Sequence, residues 1–219
     1  MPIGLPKVPF FDYEDDYDYN YDYGYADYNH DDYAEKKAER KAERKQAWTD
    51  LYSKLYHGGI LFLGDVIDTE LANELIAAMV YLDSHHPEIR CYMYINSPGG
   101  GVFDGLAIYD AMKNIMTQEV RTTVYGQAAS MASLLLASGE KGHRIALPHS
   151  EIMLHEPSMS PTRGKVEFLL SECDVLASLK ERMLNIYVLE TGKDRLVFRG
   201  SPTKRSLFGT RNSPRMWNY

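Results

Sequence analysis

The chain has little cysteine. Cys91 and Cys173 are its two thiols, far apart in 219 residues and set in apolar or helical context. That excludes a disulfide framework, and no ligand spacing around them suggests a metal site, so two buried thiols are expected. No stretch approaches the roughly 18 apolar residues of a membrane-spanning helix. The phosphate loop Gly-x-x-x-x-Gly-Lys-Ser/Thr is absent, so the chain should not bind ATP by that route, and no cofactor is expected. The opening residues lack both a signal-peptide pattern and an Arg- and Ser-rich transit peptide, which favours a protein made where it works. Net charge is −7, but much of the acid sits in one N-terminal run, so no nucleic-acid partner is inferred. Acid runs out at the other end: no Asp or Glu follows Asp194.

What is present divides clearly. Residues 11–33 alternate tyrosine with aspartate, from Tyr13 and Asp15 to Asp32 and Tyr33. Acidic repulsion and the lack of aliphatic side chains argue for disorder there. Residues 34–45 are strong helix formers with Glu35, Glu39 and Glu43 on one row and no apolar face, which reads as a solvated helix. The length and the 44% hydrophobic content then fit one globular domain. Ile60–Gly64 reads as a strand. Asp68 can cap a helix whose buried face is Leu71, Leu75, Ile76, Met79, Val80 and Leu82. A strand from Cys91 to Asn96 precedes Ser97-Pro98-Gly99-Gly100-Gly101. A helix from Phe103 to Ile115 buries Leu106, Ile108, Tyr109, Met112 and Ile115. Further strands are read at Arg121–Tyr125, Arg144–Leu147 and Glu151–Pro157. Alternating strands and helices predict an α/β fold with a mostly parallel sheet. The longest helical pattern, 165–190, carries an apolar stripe of Phe168, Leu169, Val175, Leu176, Leu179, Met183, Ile186 and Tyr187. One domain's core does not require so long a stripe.

Three stretches carry chemistry. Ser130, in Gly126-Gln127-Ala128-Ala129-Ser130-Met131, falls at a strand-to-helix turn, beside free N–H groups that suit an oxygen becoming a nucleophile. The plain alternative is that small residues merely let a helix pack on a sheet. The triple glycine at 99–101 can expose N–H groups toward developing charge, or be an ordinary turn. His155 ends a strand and is the usual kind of general base near neutral pH, although a strand histidine is more often simply packed. The Gly-x-Ser-x-Gly elbow is missing, since Ala128 and Ala132 flank Ser130, which argues against an α/β-hydrolase.

Asn96-Ser97-Pro98-Gly99-Gly100, Ile108-Tyr109-Asp110, Gly126-Gln127-Ala128-Ala129-Ser130-Met131 and Met153-Leu154-His155-Glu156-Pro157 together resemble the Clp protease proteolytic subunits, in order and at nearly their spacing. The likeness runs from about Trp48 to Lys193, and Met1–Phe10 is similar to the start of the plastid-encoded member. The resemblance implies the crotonase-like α/β fold of repeated β-α units with a long handle helix. It implies a serine endopeptidase with Ser130 as nucleophile, His155 as base and the N–H groups of Gly100 and Met131 as oxyanion hole. It also implies a double heptameric ring, homo- or hetero-oligomeric with related subunits, joined through the 165–190 helix. A separate AAA+ Clp ATPase would deliver polypeptide substrates, and the site of action would be the chloroplast stroma. Residues 1–10 then form an N-terminal segment, 11–46 an insertion, 47–193 the protease domain and 194–219 a divergent tail. The family's triad aspartate would fall at position 201, which is Ser201, so the third triad member is unknown and a catalytically weak ring subunit is the second reading. An acyl-CoA enzyme of the crotonase class ranks last, because it does not need Ser130 with a matched His155.

Overall fold

The computed structural model describes residues 7–10, 47–159, 161–198, 203–205 and 215–216. It separates into two compact units, Met1–Leu55 and Tyr56–Tyr219. In the first, strands β1 (Lys7–Phe10) and β2 (Ala47–Asp50) pair antiparallel, with Phe10 opposite Ala47. The chain therefore leaves and re-enters this ribbon at neighbouring positions. The expected disorder of 11–33 and helix of 34–45 lie outside the described residues. Helix α1 (Leu51–His57) follows, opened by Asp50, whose carboxylate accepts from the Ser53 amide at 2.9 Å.

The second unit is an α/β sheet of the expected kind. Strands β3 (Ile60–Leu63), β4 (Tyr92–Ser97), β5 (Arg121–Ala129) and β6 (Arg144–Ala146) lie side by side and parallel. Period-two alternation turns Leu61, Leu63, Met93 and Ile95 wholly into the core. Strand β7 (Glu151–His155) also pairs parallel with β5, but with its second half. Two strands thus share one edge of β5 in succession, and this is why β5 runs past the expected Tyr125 as far as Ala129.

Helix α2 (Thr69–His85) starts where the sequence placed its cap: Asp68 Oδ1 accepts from Leu71 N–H at 2.9 Å. It buries Ala72, Leu75, Met79 and Leu82, while Val80, expected inside, is exposed. Helix α3 (Val102–Asp110) widens into a π-helical turn at Ala111–Ile115. The wider turn rotates the stripe, so Met112 stays buried and Ile115 faces out. Helix α4 (Met131–Ala137) is buried on every side, its residues apolar except Ser133, whose hydroxyl bonds inside the protein.

Helix α5 (Val166–Thr191) is the longest and ends at Gly192, whose φ of 66° is the left-handed cap that glycine adopts without penalty. Its stripe is only half inside: Leu179, Met183 and Tyr187 are buried, whereas Phe168 and Val175 are exposed. Cys173, on the same helix, is exposed as well, so of the two thiols expected inside only Cys91 is buried. A short helix α6 (Arg195–Phe198) follows. The divergent tail contributes two short strands. Strand β8 (Thr203–Arg205) pairs antiparallel with β7, and β9 (Arg215–Met216) with β6.

Candidate active site

Three backbone segments converge at the carboxyl end of β5. The first is the glycine turn after β4. Buried Ser97 accepts the Gly99 N–H on its hydroxyl at 3.1 Å, and Gly99 sits at φ 91°. The turn is tied to Ile67 by two bonds: Ile67 N–H donates to Gly99 O at 2.9 Å, and Gly101 N–H donates to Ile67 O at 2.7 Å. That bridge uses the groups on either side of Gly100 and leaves the Gly100 N–H out of the ladder. A side chain on Gly99 would put its Cβ 2.5 Å from Ala129 O, 2.8 Å from Ser130 Cβ and 3.2 Å from Met131 N. Only glycine lets the turn come this close to Ser130.

The second segment is Ser130 itself. It lies between β5 and α4 with φ 54° and ψ −124°. Among the described residues it is the only non-glycine with positive φ. A serine in such a region costs about 1–3 kcal/mol and persists only where its surroundings over-determine it. Here they do. Ser130 N–H donates to Met153 O at 2.8 Å, and Ser130 O accepts from Ser133 N–H at 3.0 Å and from the Ser133 hydroxyl at 2.7 Å. Met131 opens α4, and first-turn N–H groups have no partner inside their own helix.

The third segment is the end of β7. The register sets Ala129 opposite Met153, so Ser130 and His155 stand at the carboxyl ends of adjacent strands, which lie about 5 Å apart in a sheet. His155 is half-buried, and its register partner on β8 is Thr203. Beside it opens an apolar hollow lined by Leu154, Met183, Leu184, Tyr187 and Phe198. Glu156, next in the chain, is engaged with Lys180 at 2.8 Å. Asp194 accepts the Leu196 N–H at 2.7 Å and so caps a turn. Position 201 lies outside the described residues. Among the described residues no group of three or more His, Cys, Asp or Glu could hold a metal ion.

Of the residues that the sequence reading singled out, Ser130 and Met131 lie at the β5–α4 turn, His155 ends the neighbouring strand β7, and Gly100 lies in the glycine turn bridged to Ile67. The reading missed Ser133 as a brace, although a serine three residues after Ser130 was a usable signal. It counted Tyr187 as stripe only, because nothing local ties it to residue 130.

The Clp protease family model matches residues 43–208. The chain belongs to the Clp protease family. It is 40% identical over 193 residues to the ATP-dependent Clp protease proteolytic subunit of Chlorella vulgaris, covering 88% of this chain and 81% of that one. The protein of the same name from Huperzia lucidula is 36% identical over 208 residues, 95% of this chain and 85% of its own. That from Chaetosphaeridium globosum is 44% identical over 146 residues, 67% and 72% of the two chains. The chain is accordingly a peptidase subunit, a serine protease among the hydrolases. The weak-subunit reading is not favoured. The match also continues beyond Lys193, where the sequence reading had ended it, and takes in β8.

Proposed function

We propose that Ser130 is the nucleophile and His155 the general base of a peptidase acting on unfolded polypeptides. The observation that carries this is the strained Ser130, held at the mouth of the β5–α4 turn by a bond to the strand that ends in His155. In the first step Ser130 Oγ bonds to the scissile carbonyl carbon while His155 takes its proton. The oxyanion is received by the N–H groups of Gly100 and Met131, one from each side of the turn. Collapse breaks the C–N bond, and His155 returns the proton to the leaving amine. Water, deprotonated by His155, then hydrolyses the acyl-enzyme and frees Ser130.

The relatives' shared name makes them proteolytic subunits of an ATP-dependent protease, and their sources are algae and plants. The corresponding proposal for this chain is a ring-forming subunit of a plastid protease, served by a separate AAA+ ATPase, with residues 11–46 inserted ahead of the protease domain. Among the described residues no helix is long and apolar enough to cross a membrane. The test is a fluorophosphonate label located by mass spectrometry, paired with peptide hydrolysis by Ser130→Ala. The expected result is a label on Ser130 and loss of hydrolysis by a factor on the order of a million, the cost of deleting such a serine elsewhere. A variant that kept most of its activity would remove Ser130 from this role.

A further inference from the structure

Behind the Ser130 turn stand two hydroxyls that the reaction does not itself consume. Ser133 Oγ donates to Ser130 O at 2.7 Å and lies 2.7 Å from the Tyr187 hydroxyl. Ser133 has one proton, already directed at the carbonyl, so Tyr187 is the donor between the two. The Tyr187 hydroxyl oxygen lies 3.4 Å from Ser130 O, a longer contact that can only share the same single proton. Both side chains are buried. Burial pushes the Tyr187 phenol well above its ordinary value, so it remains a neutral donor at working pH. Its ring is fixed by stacking on Phe198, with centroids 5.3 Å apart.

The Ser130 carbonyl and the Met131 N–H belong to one peptide unit. In a planar trans peptide the two point in opposite directions, so whatever fixes the carbonyl also aims the N–H. Backbone donors reach this carbonyl from the Ser133 N–H at 3.0 Å and from the Leu134 N–H at 3.4 Å, and the Ser133 hydroxyl reaches it at 2.7 Å. The shortest bond it accepts is the one from that hydroxyl. We propose that Ser133 and Tyr187 are positioning residues for acyl transfer, which aim the Met131 N–H at the oxyanion through the peptide unit that it shares with Ser130. Donors on the carbonyl also polarise that unit and strengthen its N–H. Because the charge on the substrate oxygen develops in the transition state, the effect belongs to kcat and not to ground-state binding. The inference rests on the reading of Ser130 and Met131 given above.

The experiment compares Tyr187→Phe, which keeps the stacked ring and deletes the hydroxyl, with Ser133→Ala and the hydroxyl-retaining Ser133→Thr. Each is assayed as the assembled protein, with a peptide substrate and with a peptide boronate as transition-state analogue. Removing an oxyanion donor outright costs about 100- to 1000-fold, so a misaimed donor should cost less, about tenfold in kcat. KM should stay within about twofold, boronate affinity should fall in step with kcat/KM, and Ser133→Thr should recover most of the loss. Unchanged kcat in Tyr187→Phe would overturn the proposal. So would a fall in kcat that leaves boronate binding intact, since that is general loosening. Should Ser133→Ala fail to assemble, Tyr187→Phe decides alone. A fluorophosphonate label on some residue other than Ser130 in the unmutated protein would defeat the Ser130 reading and this proposal with it. A label on Ser130 with unaltered variants would defeat this proposal only.

Discussion

Along α5, Met183, Leu184 and Tyr187 are buried in the core, whereas Phe168 and Leu170, about four to five turns earlier, stand 48% and 61% exposed. The two halves of one helix are similarly apolar. The C-terminal half is covered by its own chain: Tyr187 meets Phe198 and Ser133, and Glu190 meets three cationic or phenolic partners. The N-terminal half presents apolar side chains to solvent among the described residues. A hydrophobic stripe therefore records that a surface must be covered, and says nothing about whether the cover belongs to the same molecule.

The largest effect is expected from breaking the covered half. Glu190 is 5% exposed and accepts from the Tyr109 hydroxyl at 3.1 Å and from Lys113 Nζ at 3.1 Å. Arg144, 1% exposed, donates to the Glu190 carbonyl at 2.8 Å and to Gly139 O at 2.8 Å, with its other terminal nitrogen 3.8 Å from the Glu190 carboxylate. Burial lowers the Arg144 pKa from its ordinary value, with Glu190 opposing that shift, and it lifts the Tyr109 phenol to about 12. Deleting the carboxylate leaves buried Arg144 and half-buried Lys113 without their counter-charge, and breaking a buried pair in this way costs about 3–5 kcal/mol. Glu190→Ala should lower the melting temperature by roughly 6–20 °C, as that cost implies for a domain of this size. A shift below about 2 °C would mean that the cluster is solvated and does not hold α5 to the core.

Those partners also mark where the sequence ceased to be legible. The strands at Ile60 and Cys91, the Asp68 cap and the turn at Ser130 were readable because each is set by neighbours in the chain: alternation, a capping carboxylate, small residues before an apolar run. The exposure of Phe168 against the burial of Met183 was not, because both obey the same helical period and differ only in what lies across from them. The Ser133–Tyr187 contact joins residues 54 apart in sequence, which no local pattern can announce. Strands β8 and β9 escaped for a different reason. Thr203-Lys204-Arg205 and Arg215-Met216 are too short and too polar to show alternation, and they exist by adding to edges that β7 and β6 provide.

An intermediate effect is expected in the uncovered half. Phe168→Asp with Leu170→Asp removes apolar surface that contributes little to the subunit's own core. Substitutions at such exposed positions change stability by about 0.5 kcal/mol or less. Assembly should respond instead. Light scattering should show a species of lower mass, while circular dichroism keeps the helix signal. An unchanged mass would place the covering partner elsewhere on the surface.

The smallest effect, and the sharpest in position, comes from the two thiols. Cys91 is wholly buried beside β4, and burial lifts it to about 12 from an ordinary 9.0. At pH 8 it should hold about a thousandfold less thiolate than an unperturbed cysteine, and thiolate is the form that alkylates. Cys173 is exposed and lies three residues after Leu170, one helical turn along the same face. Iodoacetamide should therefore modify Cys173 and spare Cys91 until the protein is unfolded. If the uncovered half of α5 meets a partner subunit, Cys173 should react more slowly in the assembled protein than in the Phe168→Asp/Leu170→Asp variant. Equal rates in the two would show that this face of α5 stays open to solvent in the assembly, and the comparison between the halves of the helix would then need another explanation than a partner subunit. Ready modification of Cys91 in the folded protein would fault the core itself.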